Sequence, residues 1–342
     1  MRHHLPVQSA SPRDTRGRIL RDLRISVTDR CNFRCTYCMP RAVYNSSFRF
    51  LPRAEILSFE EIERLAKIFV SMGVRKIRIT GGEPLLRRDL PKLIARLSRL
   101  DVDLALTTNG TQLAEMSKDL VAAGLKRVTV SLDSLDQDQF QKVTDSTATV
   151  ESVLDGIEAA HLAGLRPVKI NAVIRQGSND DSVLALAEHF RGTPHILRFI
   201  EFMDVGATND WRAPEVLSAR TMIDQIHKAY PIEPVEAEYP EEVAKRWRYS
   251  DGQGELGFIT SISQPFCGDC SRARLSAEGK LYTCLFASEG KSLLEPLRGG
   301  ATDDDLLRLL GGIWSRRDDH YSEIRSQQSQ RTERVEMSHI GG

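Results

Sequence analysis

Six cysteines form two tight trios: Cys31, Cys35 and Cys38 spaced C-x3-C-x2-C, and Cys267, Cys270 and Cys284 spaced C-x2-C-x13-C. An even count could mean three disulfides. Within each trio, however, the sulfurs are too crowded for a sensible framework, and nothing marks the chain as secreted. Metal ligation is the expected chemistry. Three thiolates cannot close a tetrahedral zinc shell, and the first loop has no histidine to complete one. A cubane iron–sulfur cluster usually takes four cysteines too, so three would leave one iron with an open position. Spacing alone leaves both readings standing: zinc with a fourth ligand from elsewhere, or a cluster whose free iron binds something other than protein. For the second trio the zinc version is a knuckle completed by a distant histidine.

The elements around these loops alternate. Strands are expected at Leu23–Asp29, Lys76–Thr80, Asp103–Asn109, Arg127–Asp133, Pro167–Ile174 and Ile196–Met203, with helices between them. Ser58 and Glu61 form a capping box that opens a helix through Ile62, Leu65, Ala66 and Phe69, and Gly73 suits its end. Such alternation implies a parallel sheet. Six or more units in one run favour a barrel or partial barrel; a doubly wound sheet is the alternative. The first cysteine loop follows the first strand, at the carboxyl end where parallel-sheet enzymes place their chemistry.

One parity of each strand is apolar. The other carries Arg24, Ser26 and Thr28 on the first strand, Lys76, Arg78 and Thr80 on the second, and Thr107 and Asn109 on the third. It continues with Thr129, Ser131 and Asp133, then Lys169 and Asn171, then Arg198. Period-two alternation puts each set on one face. The apolar face must meet the helices, so the polar face lines the lumen. Isolated cations in a dry core are very costly. A lumen holding Arg24, Lys76, Arg78, Lys169 and Arg198 should therefore be wet and should bind an anion.

The chain has 342 residues, enough to bury a core without disulfides, and its 47 basic and 47 acidic side chains balance. That balance argues against a polyanion-coating or membrane-surface protein and leaves room for a locally basic pocket. No apolar run reaches the ~18 residues of a membrane span. Neither nucleic acid nor a membrane is an expected partner. Residues 1–20 are polar, broken by Pro6 and Pro12, and lack a secretory apolar core. They are expected to be a disordered tail, with a transit peptide as the weaker reading. From Pro231 an acidic, proline-rich connection runs through Pro234, Glu238, Pro240 and Glu241. Short strands at Leu256–Ile262 and Lys280–Leu285 and a helix near Asp304–Trp314 follow. The expected division is a tail 1–20, a barrel 21–230 and a C-terminal domain 231–342.

Tyr37 directly precedes the last cysteine of the first trio, and Gly81-Gly82-Glu83-Pro84 follows the second strand. Together these resemble the signature of the radical S-adenosylmethionine (SAM) superfamily. There the open iron chelates the amino and carboxylate groups of SAM, and a GGEP motif contacts the methionine amine. Further features narrow the resemblance: Cys270-Ser271-Arg272-Ala273-Arg274, Arg24 before the first trio, the run from Lys76 to Pro84, and a terminal Gly-Gly. They resemble the GTP 3′,8-cyclase family of molybdenum cofactor biosynthesis, from about Arg21 to Gly342.

The resemblance implies an α/β fold: a partial (β/α)6 TIM-like barrel with a C-terminal region carrying a second iron–sulfur cluster. It implies two [4Fe-4S] clusters and SAM as cofactors. Cys31, Cys35 and Cys38 would hold the cluster that cleaves SAM, with Tyr37, Gly82, Ser131 and Met203 touching SAM. Cys267, Cys270 and Cys284 would hold the cluster that touches guanine. Arg24, Lys76, Arg78, Thr107, Lys169, Arg198, Arg272, Ala273 and Arg274 would meet GTP, and Arg24, Arg272 and Arg274 would also act in catalysis by helping to quench a product radical. The implied reaction starts with reductive cleavage of SAM. The 5′-deoxyadenosyl radical then removes the 3′ hydrogen of GTP, and the ribose radical closes onto C8 of guanine. A flavodoxin or ferredoxin as reductant, product hand-off to cyclic pyranopterin monophosphate synthase, a homodimer and a cytoplasmic location complete what it implies.

Two other readings compete: a radical enzyme acting on a peptide, and a two-zinc binding module. The lumen cations argue against the first, since a peptide would not need them. The resemblance also implies that Gly341-Gly342 reaches the active site, where a frayed end is the plainer expectation. A small sulfur carrier also ends in Gly-Gly, but the strand–helix units rule against it. His339 stands where the resemblance leads one to expect an aromatic such as Tyr.

Overall fold

The computed structural model describes residues 11–239, 242–325 and 334–341. Strands β1 (Asp22–Ser26), β2 (Lys76–Thr80), β3 (Asp103–Thr108), β4 (Arg127–Ser131), β5 (Lys169–Ile174) and β6 (Ile196–Glu201) are parallel neighbours in chain order. A doubly wound sheet needs a point where strand order reverses. None occurs among these six, so the barrel reading holds. Later strands widen both edges. On one side β9 (Glu255–Ile259) runs parallel to β6 and carries the antiparallel pair β8 (Lys245–Tyr249) and β7 (Ile232–Val235). On the other, β10 (Arg272–Leu275) runs parallel to β1, followed by antiparallel β11 (Lys280–Tyr282) and β12 (Lys291–Ser292). β7 and β12 end the sheet without meeting, which makes the barrel partial.

The core follows the expected parity. Leu23 and Ile25, Ile77 and Ile79, Leu104 and Leu106, and Val128 and Val130 are all buried against the helices. The capping box is present: the Glu61 N–H donates to Ser58 Oγ at 3.1 Å and the Ser58 N–H to Glu61 Oε2 at 2.7 Å. The helix it opens, Phe59–Ser71, buries Ile62, Leu65, Ala66 and Phe69.

β3 ends before the expected Asn109, whose N–H leaves the ladder for Glu83 Oε2 (2.7 Å). β4 ends at Ser131, and Asp133, expected within it, instead accepts the Val173 N–H of β5 at Oδ1 (2.8 Å). The freed segments become loops around the site. Strands β7 and β8 were not expected. β7 carries Pro234, which an edge strand tolerates, and β8 alternates the half-buried Trp247 and buried Tyr249 with Arg246 and Arg248.

Ser11–Leu20, expected as part of a disordered tail, are packed. Arg18 Nε meets Asp14 Oδ2 at 2.6 Å, Arg317 Nη1 meets the same oxygen at 3.4 Å, and all three side chains are almost fully buried. Trp314 Nε1 donates to the Arg18 carbonyl at 3.1 Å, and Leu20 joins the core. Local composition hid this, because the partners lie some three hundred residues away. The rest of the expected tail, 1–10, lies outside the described residues. Among the described residues no helix is long and apolar enough to cross a membrane.

Candidate active site

The sheet register puts the two cysteine trios at opposite ends of the barrel strands. Cys31 follows the carboxyl end of β1. Cys270 precedes β10, whose Arg272 lies opposite Asp22 at the amino end of β1. β11 runs back antiparallel to β10, with Tyr282 opposite Arg274, and returns Cys284 to the end where Cys270 sits. Five strand residues at about 3.3 Å each set the two ends roughly 15 Å apart. All six cysteines line one cavity of about 620 Å³ between them.

The chamber wall is the polar parity. Arg24, Lys76, Arg78, Thr107, Ser131, Lys169 and Arg198 line it, joined by Arg272 and Arg274 of β10. Register stacks Arg274 beside Arg24, and Arg24 beside Arg78. Ala273 does not line the cavity: alternation between Arg272 and Arg274 turns it into the core, opposite Leu23. Tyr37, Gly82 and Met203 line the chamber with the first trio. Gly82 has no alternative, because a Cβ there would strike the Arg30 carbonyl.

Burial and mutual repulsion act on these cations. Burial first, then Arg274 and Arg272, push Arg24 well below its ordinary value. Arg274 is pushed down to about 10 and Arg198 to about 9, again chiefly by burial. Burial likewise brings Lys76 and Lys169 to about 8. Compensation is thin. Lys76 meets Asp22 at 3.3 Å, and Arg78 donates to Thr107 Oγ1 (2.9 Å) and Thr129 Oγ1 (3.0 Å). The Nε atoms of Arg24, Arg78, Arg198 and Arg274 are buried without a protein partner. Unpaired buried donors of one sign are a standing cost. An anionic ligand with several acceptor oxygens removes that cost, and a guanidinium fork suits phosphate.

The trios fit iron–sulfur clusters better than zinc. Among the described residues no three His, Cys, Asp or Glu side chains gather as a single-ion shell, and no histidine lines the chamber to supply a fourth zinc ligand. Backbone N–H groups of Phe33 and Phe286 reach the sulfurs of Cys31 and Cys284, each at 3.4 Å. Burial pushes Cys31 and Cys284 up to about 11, so each needs a bound cation to become thiolate. Cys270 differs: burial raises it, but Arg272 and Arg317 prevail and bring it to about 6.

Sequence reasoning missed several supports. Tyr37 donates to Asp133 Oδ2 at 2.6 Å, fixing the ring beside the first trio; burial raises Asp133 to about 6. Glu83 turns inward to take Leu85 N–H, Thr108 Oγ1 and Asn109 N–H, and burial raises it to about 7. The acidic connection, expected as a linker, sends Tyr239 and Glu242 into the chamber wall; its Pro240 and Glu241 lie outside the described residues. Beneath the second trio, Arg18 Nη1 donates to the Cys267 carbonyl (2.8 Å) and Arg317 Nη1 to the Cys270 carbonyl (2.6 Å). Asp14 neutralises both. Asp14→Ala leaves buried Arg18 without an anion and Arg317 with only the half-exposed Asp319, at 3.3 Å, and should cost about 3–5 kcal/mol. A lowered midpoint in urea unfolding checks this; an unchanged midpoint contradicts it.

The chain's end closes over the same region. Met337 and Ser338 line the chamber. His339 Nε2 lies 3.1 Å from Glu278 Oε1, so an imidazole–carboxylate hydrogen bond does the anchoring where a Tyr was expected. Gly341, at φ 73°, lies so close to Thr80 that a Cβ would collide with it. Gly341 packs against Thr80, a residue of the chamber wall, without itself lining the chamber; Gly342 lies outside the described residues.

Comparison with known proteins follows this geometry. The profile of the Radical SAM superfamily matches residues 25–190, and that of Molybdenum Cofactor Synthesis C matches 195–323. A GTP 3′,8-cyclase from Acidothermus cellulolyticus is 52% identical, across 96% of this chain and 99% of that protein. One from Xanthomonas axonopodis pv. citri is 50% identical across 98% and 100%. One from Staphylococcus carnosus is 45% identical across 96% and 98%. Among solved structures, Streptococcus suis SuiB bound to its precursor peptide superposes with a TM-score of 0.61 at 15% identity, covering 92% of this chain and 75% of that one, a likeness of fold alone. Radical SAM membership carries with it a [4Fe-4S] cluster and SAM. With relatives half identical from end to end, the chain belongs to the GTP 3′,8-cyclase family of the radical SAM superfamily.

Proposed function

We infer that the protein converts GTP to 3′,8-cyclo-7,8-dihydro-GTP, the first step of molybdenum cofactor biosynthesis. The observation that carries this is one basic chamber with a cysteine trio at each end. A cluster on Cys31, Cys35 and Cys38 supplies, when bound, the electron that cleaves SAM. Everything else falls to the chain. Tyr37, Gly82, Ser131 and Met203 hold SAM at the carboxyl end of the strands. Arg24, Arg78, Lys169, Arg198, Arg272 and Arg274 hold the triphosphate and ribose, assisted by Lys76 and Thr107. Cys267, Cys270 and Cys284 hold a second cluster that fixes the guanine end. Two anchored ends leave the ribose between them, and fixing both reactants is worth several kcal/mol of barrier. Burial of the chamber cations strengthens every charge contact a bound anion makes inside. Arg24, Arg272 and Arg274, neighbours on β1 and β10, would face the base and ribose and donate a proton as the cyclised radical takes up a further electron from the reductant.

On this reading residues 21–230 form the barrel, which holds SAM and much of GTP, and residues 231–342 add the second cluster and the rest of the nucleotide site. A flavodoxin or ferredoxin fits as reductant, and cyclic pyranopterin monophosphate synthase as acceptor of the product. A homodimer and a cytoplasmic location accord with this reading.

Nucleotide affinity should fall with rising pH. Lys76 and Lys169 sit near 8 in the empty protein, so both lose their charge between about pH 7 and 9. Bound phosphate favours the charged forms. The sign is therefore tighter binding below 8 and weaker binding above it, by about tenfold per lysine at most per pH unit. Calorimetric titration with GTP across that range checks it; a flat profile contradicts it. The reading as a whole is tested by anaerobic reconstitution, iron analysis and incubation with dithionite, SAM and GTP. About eight irons per chain, 5′-deoxyadenosine and a cyclised nucleotide are expected. Colourless protein with two zincs contradicts it.

A further inference from the structure

The chain is neutral overall, yet between Arg30 and Ala54 it carries five arginines and no lysine, aspartate or glutamate. This stretch contains the first cysteine trio and the loop that follows it. Two of the five are used internally. Arg34 donates to the carbonyls of Cys31 (2.8 Å), Phe33 (2.7 Å) and Tyr44 (2.8 Å), and Arg41 pairs with Asp145. Arg30, Arg49 and Arg53 are exposed and form no ion pair among the described residues.

Arg30 and Arg34 stack on an apolar centre that Arg49 and Arg53 flank along the chain. The Phe50 ring lies within 5.4 Å of the Arg30 guanidinium and 5.7 Å of that of Arg34. Phe48 packs edge-on against Phe50 at 4.9 Å and stays 37% exposed. The loop is firmly built: Leu51 N–H donates to Asp29 Oδ2 at 2.6 Å, and Glu83 N–H to the Arg30 carbonyl at 2.8 Å. An exposed aromatic packed on a half-buried one among several arginines has the composition of a protein interface rather than of ordinary surface. Unpaired charge of one sign selects a partner of the other sign and speeds encounter.

The chemistry says which acidic partner. On the function inferred above, an electron must reach the first trio from outside, and this face is built on the backbone that carries Cys31. We propose that the Arg30–Arg53 face is the docking surface of an acidic one-electron carrier protein, holding a flavin or an iron–sulfur centre. One electron leaves the reduced carrier and is taken up by the cluster on the first trio. The carrier is oxidised by one electron, the cluster is reduced by one, and no atom is transferred.

The test uses the full chain, with oxidised flavodoxin and a [2Fe–2S] ferredoxin as probes in calorimetric titration. At least one carrier should bind saturably, more weakly as salt rises. Arg49→Glu with Arg53→Glu should weaken binding by at least about tenfold, whereas Arg49→Lys with Arg53→Lys should keep most of it. Dithionite-driven cleavage of SAM should be unchanged in both variants. Failure of both carriers to bind the unaltered protein overturns the proposal, as does unchanged binding in the charge-reversal variant. Equal competition from a random RNA oligonucleotide also overturns it, by showing a generic polyanion patch. Loss of dithionite-driven SAM cleavage in the charge-reversal variant contradicts it too, since the damage then lies in the site. If the unaltered protein cleaves SAM but does not cyclise GTP under dithionite, the inferred function fails, while the carrier titration can still be read on its own.

Discussion

Arg274→Met should make the empty protein more stable and nearly unable to hold nucleotide. Arg274 is 2% exposed, stands beside Arg24 in the sheet, and leaves its Nε without a partner. Its nearest charges include Arg272, another cation. Methionine keeps the unbranched shape and fills the space without charge. Exchanging a poorly compensated buried charge for a packed apolar chain stabilises by about 1–4 kcal/mol. The same exchange removes a desolvated phosphate contact, which costs about 2–5 kcal/mol of binding, or roughly 30- to 4000-fold in affinity. A raised unfolding midpoint in the variant, together with a weakened GTP titration, is the expected pair of results. A lowered midpoint in the absence of ligand would mean that Arg274 serves the fold rather than the ligand. Opposite signs are expected wherever a protein holds strain for function.

Cys284→Ser separates the two ends of the chamber. Cys284 is brought to the second trio by the β10–β11 turn and lies at the far end of the strands from Cys31. A hydroxyl in its place is a poor ligand for iron, so the second cluster proposed there should be lost or labile. On the proposed division, reductive cleavage of SAM depends only on the first trio and should continue at near the normal rate. Cyclised nucleotide should fall by at least about a hundredfold, because the guanine end is no longer fixed and orientation alone carries several kcal/mol. Product analysis by anaerobic chromatography checks both. Full cyclisation in this variant would refute the division of labour, and loss of both activities would show that the ends are not independent.

The parts of the site legible in the sequence were those encoded locally. Period-two alternation revealed Arg24, Arg78, Lys169 and Arg198 as lumen residues because a strand turns alternate side chains to one face. Strand order was legible as a run of equal units, and the absence of a reversal among β1–β6 decided between barrel and open sheet. The Ser58–Glu61 cap was legible for the same local reason. What stayed hidden depends on distant partners. Nothing near Asp14 announces that it neutralises Arg317, and nothing near Tyr37 announces Asp133. The acidic connection read as a linker because its composition is polar, while its role as chamber wall comes from the β7–β8 pair folding back on β9. Ala273 shows the converse. Grouped with its arginine neighbours by motif, it is turned away from them by the strand it belongs to.

The most direct test of the central claim uses GTP deuterated at the 3′ carbon, incubated anaerobically with reconstituted protein, SAM and dithionite. If SAM and GTP meet in one chamber, the 5′-deoxyadenosine formed should carry the deuterium, and a cyclised nucleotide should accumulate beside it. Unlabelled 5′-deoxyadenosine, or labelled product without a cyclised nucleotide, would contradict the account.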